Sequence, residues 1–175
     1  YFRHAGATQQ QMIQDTILRN EPQTIADHLE GASILFANVV DFTPMSASMT
    51  PIELVEVLNE VFSRFDLLVD KYGLEKIKTI GDCYMVASGV PRPRHDHAQA
   101  LGSLALEMRD HVERSEYGGR KLAFRIGINS GPVVAGVIGR KNFIYELWGD
   151  AVNTASRMEF HGHSGITQIT RATMN

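Results

Sequence analysis

Two apolar segments, LEKIKT (residues 74–79) and CYMVASG (residues 83–89), stand three residues apart, with Ile80-Gly81-Asp82 between them. A connection that short joins antiparallel strands, because a parallel crossover takes a dozen residues or more. Part of the chain is therefore committed to an antiparallel sheet. Upstream, ASILFAN (residues 32–38) reads as a short, mostly apolar strand ending on a polar residue. Thr50-Pro51-Ile52-Glu53 carries a capping box with proline at the first helical position. Leu54, Leu58, Val61, Phe65 and Leu68 follow at helical spacing as a buried stripe, and Gly73 ends that helix. Downstream, Ala98, Leu101, Ala105, Met108 and Val112 mark a second amphipathic helix. KLAFRIGIN and PVVAGVI read as two strands separated by Ser130-Gly131, FIYEL as another and GITQIT as the last. Asp150 reads as the cap of a helix with Ala151, Val152, Ala155 and Met158 on its apolar side. Strands and helices mixed in this order predict an α+β sandwich, a largely antiparallel sheet with helices packed on it. Neither G-x-G-x-x-G after the first strand nor G-x-x-x-x-G-K-[ST] occurs, which argues against a doubly wound sheet with one of the common phosphate loops.

The 175 residues suffice for one domain with a core. Residues 8–19 read as a short helix with Met12, Ile13 and Ile17 on one side, broken off by Pro22. Residues 1–31 are thus expected to form a connector helix and linker, placed to pair with a copy in a dimer, and residues 32–175 the main domain. A net charge of -3 argues against a nucleic-acid binder. The single cysteine, Cys83, excludes an internal disulfide and fits a reducing compartment. No apolar run approaches the roughly 20 residues of a membrane span, and no signal peptide opens the chain. The chain is read as a piece of a longer protein, and a cytoplasmic setting is expected, including the cytosolic part of a membrane-anchored protein.

Four places could carry chemistry. Asn38-Val39-Val40-Asp41-Phe42-Thr43 ends the first strand, where polar groups face either a ligand crevice or plain solvent. Lys78 and Asp82 flank the hairpin turn; an acid there either holds a divalent cation or bonds its own turn. Asn153 and Arg157, at i,i+4, share a helix face suited to ribose and phosphate, or simply solvated. Glu146, in an apolar strand before Trp148, is either a purine reader or an edge-strand charge. The seven histidines show no metal-ligand spacing and read as surface residues.

Taken together, ILFANVVDFT, EKIKTIGDCYMVASG, FRIGINSGPVVAGVIG and YELWGDAVNTASRME resemble, in family order, the class III adenylate and guanylate cyclases. The resemblance runs from about Ile34 to Glu159. It implies a ferredoxin-like α+β sandwich with active sites at the interface of two catalytic domains. Asn38 and Asp82 then occupy the two metal-carboxylate positions, with the Val39 carbonyl as a further ligand for two Mg²⁺ or Mn²⁺ ions per site. Lys78 and Glu146 occupy the purine-reading positions. Asn153 orients the ribose and Arg157 stabilises charge on the α-phosphate. Phe42, Thr43 and Arg125 lie where the family handles the triphosphate. In a homodimer the metal residues come from one chain; the purine readers, Asn153 and Arg157 come from the other.

Three departures matter. The family has aspartate at the Asn38 position, so one oxygen donor here is neutral, and weakened metal binding and turnover are expected. Asp41 stands where the family usually has glycine. Glu146 replaces the usual aspartate of adenylate cyclases, whereas guanylate cyclases place glutamate at the Lys78 position. The resemblance therefore implies ATP as substrate and cyclic AMP and pyrophosphate as products. A catalytically silent nucleotide-binding homologue and a guanylate cyclase stay open as alternatives. The family domain continues past GITQIT, so a domain truncated at its C-terminus is expected.

Overall fold

The computed structural model describes residues 8–19, 25–139 and 144–174. In chain order the elements are α1 (Gln9–Arg19), β1 (Ile25–Val39), α2 (Phe42–Ala47), α3 (Pro51–Lys71), β2 (Glu75–Ile80), β3 (Cys83–Ser88), α4 (His97–Arg114), β4 (Phe124–Ile138), β5 (Ile144–Trp148), α5 (Asp150–Phe160), β6 (Thr167–Ile169) and α6 (Arg171–Met174). The sheet runs β2-β3-β1-β4-β5, antiparallel throughout that path, with β6 added parallel to the first half of β4. The α+β sandwich expected from the sequence is the observed architecture.

Helices α3 and α4 cover one face. Their apolar sides meet Leu35, Ala37, Val39, Tyr84, Val86, Phe124, Ile126 and Ile128. The opposite face, with Ile34, Phe36, Met85, Val133 and Ala135, packs against Met12 of α1 and against Ala151 and Ala155 of α5. The capping box at Thr50 forms as the sequence predicts: its hydroxyl accepts from the Glu53 N–H and the Glu53 carboxylate accepts from the Thr50 N–H. The buried side of α3 is rotated from the expected stripe. It comprises Val57, Val61, Phe62, Phe65 and Val69, while Leu54, Leu58 and Leu68 are half-buried. Aromatic packing accounts for the rotation, since the Phe62 and Phe65 rings lie 5.3 and 5.5 Å from the Tyr84 ring.

β1 begins at Ile25, seven residues before the predicted strand, and its register against β4 shifts between Leu29 and Ala32. That bulge moves the buried face from odd to even positions, which hides the first half of the strand from a period-of-two reading. The segments read as two strands around Ser130-Gly131 form one, β4. Both residues pair with β1, and the Ser130 hydroxyl bonds Ser33 and Thr173. The outer neighbour of β4 changes from β6 to β5 between Ile128 and Val134, so Pro132 falls where no outer ladder needs its N–H. The helix expected to be capped by Asp150 has Gly149 at that position, at φ 135, with Asp150 as the first helical residue. Asp150 still favours the helix through its charge in the first turn.

Helix α1 lies on the strand face rather than extending away. Met12 is fully buried, Ile13 half-buried and Ile17 exposed. The Gln9 amide donates to the Glu75 carboxylate and the Lys76 carbonyl of β2.

Gly127 sets how closely α5 approaches the sheet. A Cβ there would stand 2.1 Å from the Glu159 backbone nitrogen and 2.6 Å from the Met158 carbonyl carbon. Backbone cannot yield as a side-chain tip can. Gly127→Ala is expected to cost about 3 kcal/mol or more, read as a lowered melting temperature by circular dichroism.

Candidate active site

Asn38 sits one residue from the end of β1, opposite Cys83 of β3 and Arg125 of β4. Asp82 occupies the β2–β3 turn, and its carbonyl accepts from the Val39 N–H at 3.4 Å. The strand ends thus collect Asn38, Val39, Asp82 and Arg125 at one place. Glu159 of α5 joins them from the helix layer, its side chain only 6% exposed. It accepts from Arg125 Nε at 3.3 Å, and the Asn38 side chain lies close to it. Burial pushes its carboxyl above the usual range, partly countered by these two neighbours, and the nearby Asp82 charge pushes the same way as burial. Asn38 Oδ1 is buried and has no hydrogen-bond partner among the described residues.

These donors fit a hard divalent cation. An orphaned buried amide oxygen, the Asp82 carboxylate and the adjacent Val39 backbone are oxygen ligands of the type Mg²⁺ and Mn²⁺ take. The anionic count is low, and no group of three His, Cys, Asp or Glu side chains suited to a metal occurs among the described residues. Cys83 adds no charge, because burial raises its thiol to about 12.

Beyond the strand end, Asp41 adopts φ 55, a left-handed conformation that aspartate tolerates better than most residues. It caps the six-residue α2 without a side-chain bond. This is the position where the resemblance expects glycine, and the backbone gives the reason. Phe42 opens α2 and packs on the α3–α4 core, while Thr43 is exposed.

Lys78 and Glu146 meet although they lie on the two edge strands of the main path. Lys78 Nζ is 2.5 Å from Glu146 Oε2, with both side chains largely covered. The sheet coils until β2 and β5 approach, so the two sequence-predicted purine readers form one ion pair. Glu146 Oε1 also accepts from the Leu147 N–H at 3.2 Å. Val134 faces Trp148, Gly136 faces Glu146 and Ile138 faces Ile144 across β4 and β5. Directly opposed residues share a face, so Glu146 lies within a band of four exposed large apolar side chains: Val134, Ile138, Ile144 and Trp148.

Asn153 and Arg157 lie on the exposed side of α5. Arg157 donates through Nη2 to Thr154 Oγ1 of its own helix, at 3.2 Å. Sequence reasoning missed Glu159, an acid that continues the buried positions of α5, Ala151 and Ala155, at i, i+4, i+8 spacing; that helical spacing was the available signal. It also misplaced His97 among surface residues; His97 is half-buried and bonds the Ser33 hydroxyl at 2.7 Å through Nδ1.

A profile of the adenylate and guanylate cyclase catalytic domain matches residues 25–175. An adenylate cyclase of Mycobacterium tuberculosis is 48% identical over 158 residues, 90% of this chain and 36% of the relative's length. The human guanylate cyclase soluble subunit beta-2 is 44% identical over 147 residues, 83% of this chain and 24% of that protein. The chain therefore spans about a third or less of these relatives. Among solved structures, the catalytic core of a rhodopsin-guanylyl cyclase with converted specificity, in complex with ATPαS, matches with TM-score 0.82 and 35% identity, covering 85% of this chain and 81% of that one. The adenylyl cyclase CyaB from P. aeruginosa matches with TM-score 0.76 and 27% identity, covering 85% and 80%. No helix among the described residues is long and apolar enough to cross a membrane. With these motifs in order, this fold and this extent of similarity, the chain belongs to the adenylate and guanylate cyclase catalytic domain family.

Proposed function

We propose that this domain converts ATP to 3′,5′-cyclic AMP and pyrophosphate, at sites completed by a second copy of the chain. The Lys78–Glu146 pair carries the choice of base. Similar proteins include both adenylate and guanylate cyclases, so overall likeness does not separate the substrates. A cationic donor beside a carboxylate acceptor matches adenine, whose amino group donates to Glu146 while a ring nitrogen accepts from Lys78. To read the base, the ammonium leaves Glu146 for the ring. Guanine would set its O6 acceptor against the carboxylate and leave both unpaired.

The apolar band around Glu146 supports the dimer, because four large side chains beside a half-buried ion pair are suited to cover by another protein surface. A second copy would bring Asn38, Val39 and Asp82 to face Lys78, Glu146, Asn153 and Arg157. Asp82, Asn38 Oδ1 and the Val39 carbonyl would hold the cations, two per site. When bound, such ions favour ionisation of the 3′-hydroxyl and neutralise the phosphate oxygens. Phe42, Thr43 and Arg125 would flank the triphosphate. Asn153 would fix the ribose for in-line attack, and Arg157 would meet the charge developing on the α-phosphate.

With Mn²⁺ and equimolar ATP and GTP, cyclic AMP is expected to exceed cyclic GMP by roughly 10- to 100-fold, the consequence of one mispaired polar contact. Predominant cyclic GMP overturns the assignment. Asn38 favours a second reading, a domain that binds nucleotide without turning it over; retained nucleotide binding with no cyclic product would establish that one instead.

A further inference from the structure

We infer that Asn129 is a positioning residue for the reaction, an amide held at both ends that fixes the start of α5, the helix carrying Asn153 and Arg157. The inference rests on the site reading above and deepens it.

Asn129 lies on β4 and is only 6% exposed. Its Nδ2 donates to the Ala151 carbonyl, in the first turn of α5, at 3.0 Å. A carbonyl only accepts, so this contact fixes which end of the amide is NH₂. Oδ1 is thereby turned to Thr170, whose hydroxyl donates to it at 2.6 Å. Gly131 on the same strand lets that turn come close, since a Cβ there would stand 3.1 Å from the Ala151 Cβ. The N-cap of α5 is Gly149, which has no side chain to fasten the helix start. Asn129 supplies the fastening from the sheet, and Asn153 follows Ala151 within the same turn.

The amide is itself ordered by a line of hydroxyls. Thr170 spends its one proton on Asn129, so in its 3.2 Å contact with Thr173 the Thr173 hydroxyl donates. Thr173 in turn accepts from Ser130 at 3.1 Å. Ser130, its proton spent, accepts from Ser33 at 2.6 Å. Ser33 then accepts at 2.7 Å from His97, which must carry its proton on Nδ1. With every contact made, a single carbonyl on α5 dictates each proton back to the first residue of α4. Reversing the line would leave Asn129 Oδ1 without a donor and free the amide to turn.

Loosening the start of α5 displaces the groups assigned to the ribose and the α-phosphate. Lys78 and Glu146 lie on β2 and β5 and keep their places. Orientation for the reaction is lost while reading of the base is kept, so the cost falls on kcat rather than KM. Asn129 touches no substrate; it acts through Asn153 and Arg157.

The test compares the full chain with Asn129→Leu, Thr170→Val and Thr170→Ser in Mn²⁺-ATP kinetics, each well below its melting temperature. Asn129→Leu removes both bonds at similar volume. Thr170→Val removes the hydroxyl and keeps the shape; Thr170→Ser keeps the hydroxyl. kcat is expected to fall about 10- to 100-fold in Asn129→Leu and about 10-fold in Thr170→Val, with KM for ATP held within about twofold, and Thr170→Ser should recover most of the loss. If Asn129→Leu does not fold, the Thr170 pair decides. Unchanged kcat in folded Asn129→Leu or in Thr170→Val, a loss taken up in KM, or Thr170→Ser as poor as Thr170→Val overturns the role. Nitrogen-15 spectra of His97, identified by its absence in His97→Gln, should show Nδ1 protonated at about pH 8, where an ordinary histidine is neutral. A bare Nδ1 reverses the line and overturns the role. Arg157→Ala is the control for the reading beneath it: full turnover in that variant, or none in the unsubstituted chain, sinks the site reading and this role with it.

Discussion

Arg157→Ala is expected to lower cyclic AMP turnover about a thousandfold, the scale of an arginine that stabilises phosphoryl charge across an interface. Folding should barely change. The residue lies on the exposed side of α5 and bonds Thr154 of its own helix, and surface substitutions of this kind usually stay within about 0.5 kcal/mol. A matched melting temperature with collapsed kcat therefore separates chemistry from stability. Arg157→Lys should recover little, because a point charge lacks the planar fork that meets two phosphate oxygens. The decisive arm is a mixture. Combined with Asp82→Ala, an inactive variant of the opposite half-site, Arg157→Ala chains would form heterodimers with one intact site. Random pairing gives heterodimers as half of the dimers, so roughly a quarter of the starting activity returns for a two-fold assembly. A site built within one chain would give nothing back on mixing.

What the sequence disclosed follows from the range of the interactions involved. The β2–β3 hairpin and the Thr50 capping box are set by residues within a few positions of one another, and both appear as read. The α4 stripe from Leu101 to Val112 is also local and is buried as expected. The first half of β1 was missed because the register shift near Leu29 swaps its buried face. Ser130-Gly131 read as a separation between two strands because its polar group finds partners, Ser33 and Thr173, that only the folded sheet supplies.

The site divides along the same line. Its residue types were legible because four ordered motifs carry them. Their mutual contacts were not. Lys78 and Glu146 are 68 positions apart and meet only because the sheet coils. Glu159 is 34 positions from Arg125 and reaches it only because Gly127 lets α5 down onto β4. The i, i+4, i+8 spacing of Ala151, Ala155 and Glu159 puts the acid on the buried helix face, but the donor that makes its burial tolerable, Arg125, lies across on β4.

Asn38→Asp carries two opposed effects in one substitution. It places a third carboxylate with Glu159 and Asp82 against the single guanidinium of Arg125. Without metal, a further carboxylate stands near the buried Glu159 carboxylate with no cation to share. The fold should lose about 1–3 kcal/mol, the cost of crowding a buried charged group with another acceptor, seen as a lower melting temperature in EDTA. With Mn²⁺ the sign reverses. The added charge adjoins a dication, and apparent Mn²⁺ affinity should rise on the order of a hundredfold, well short of the Coulomb limit because Glu159 and Asp82 oppose it. Turnover should rise in parallel, since an ion held by this residue would act on the attacking hydroxyl and the phosphate. The observable is a crossover: the variant melts below the starting chain in EDTA and above it in saturating Mn²⁺ with a nucleotide analogue. Curves that shift equally in both conditions would place position 38 outside the metal site, whatever happened to the rate. A crossover without any gain in rate would put the metal at this position and leave the limiting step to Arg157 and the closure of two chains around the nucleotide.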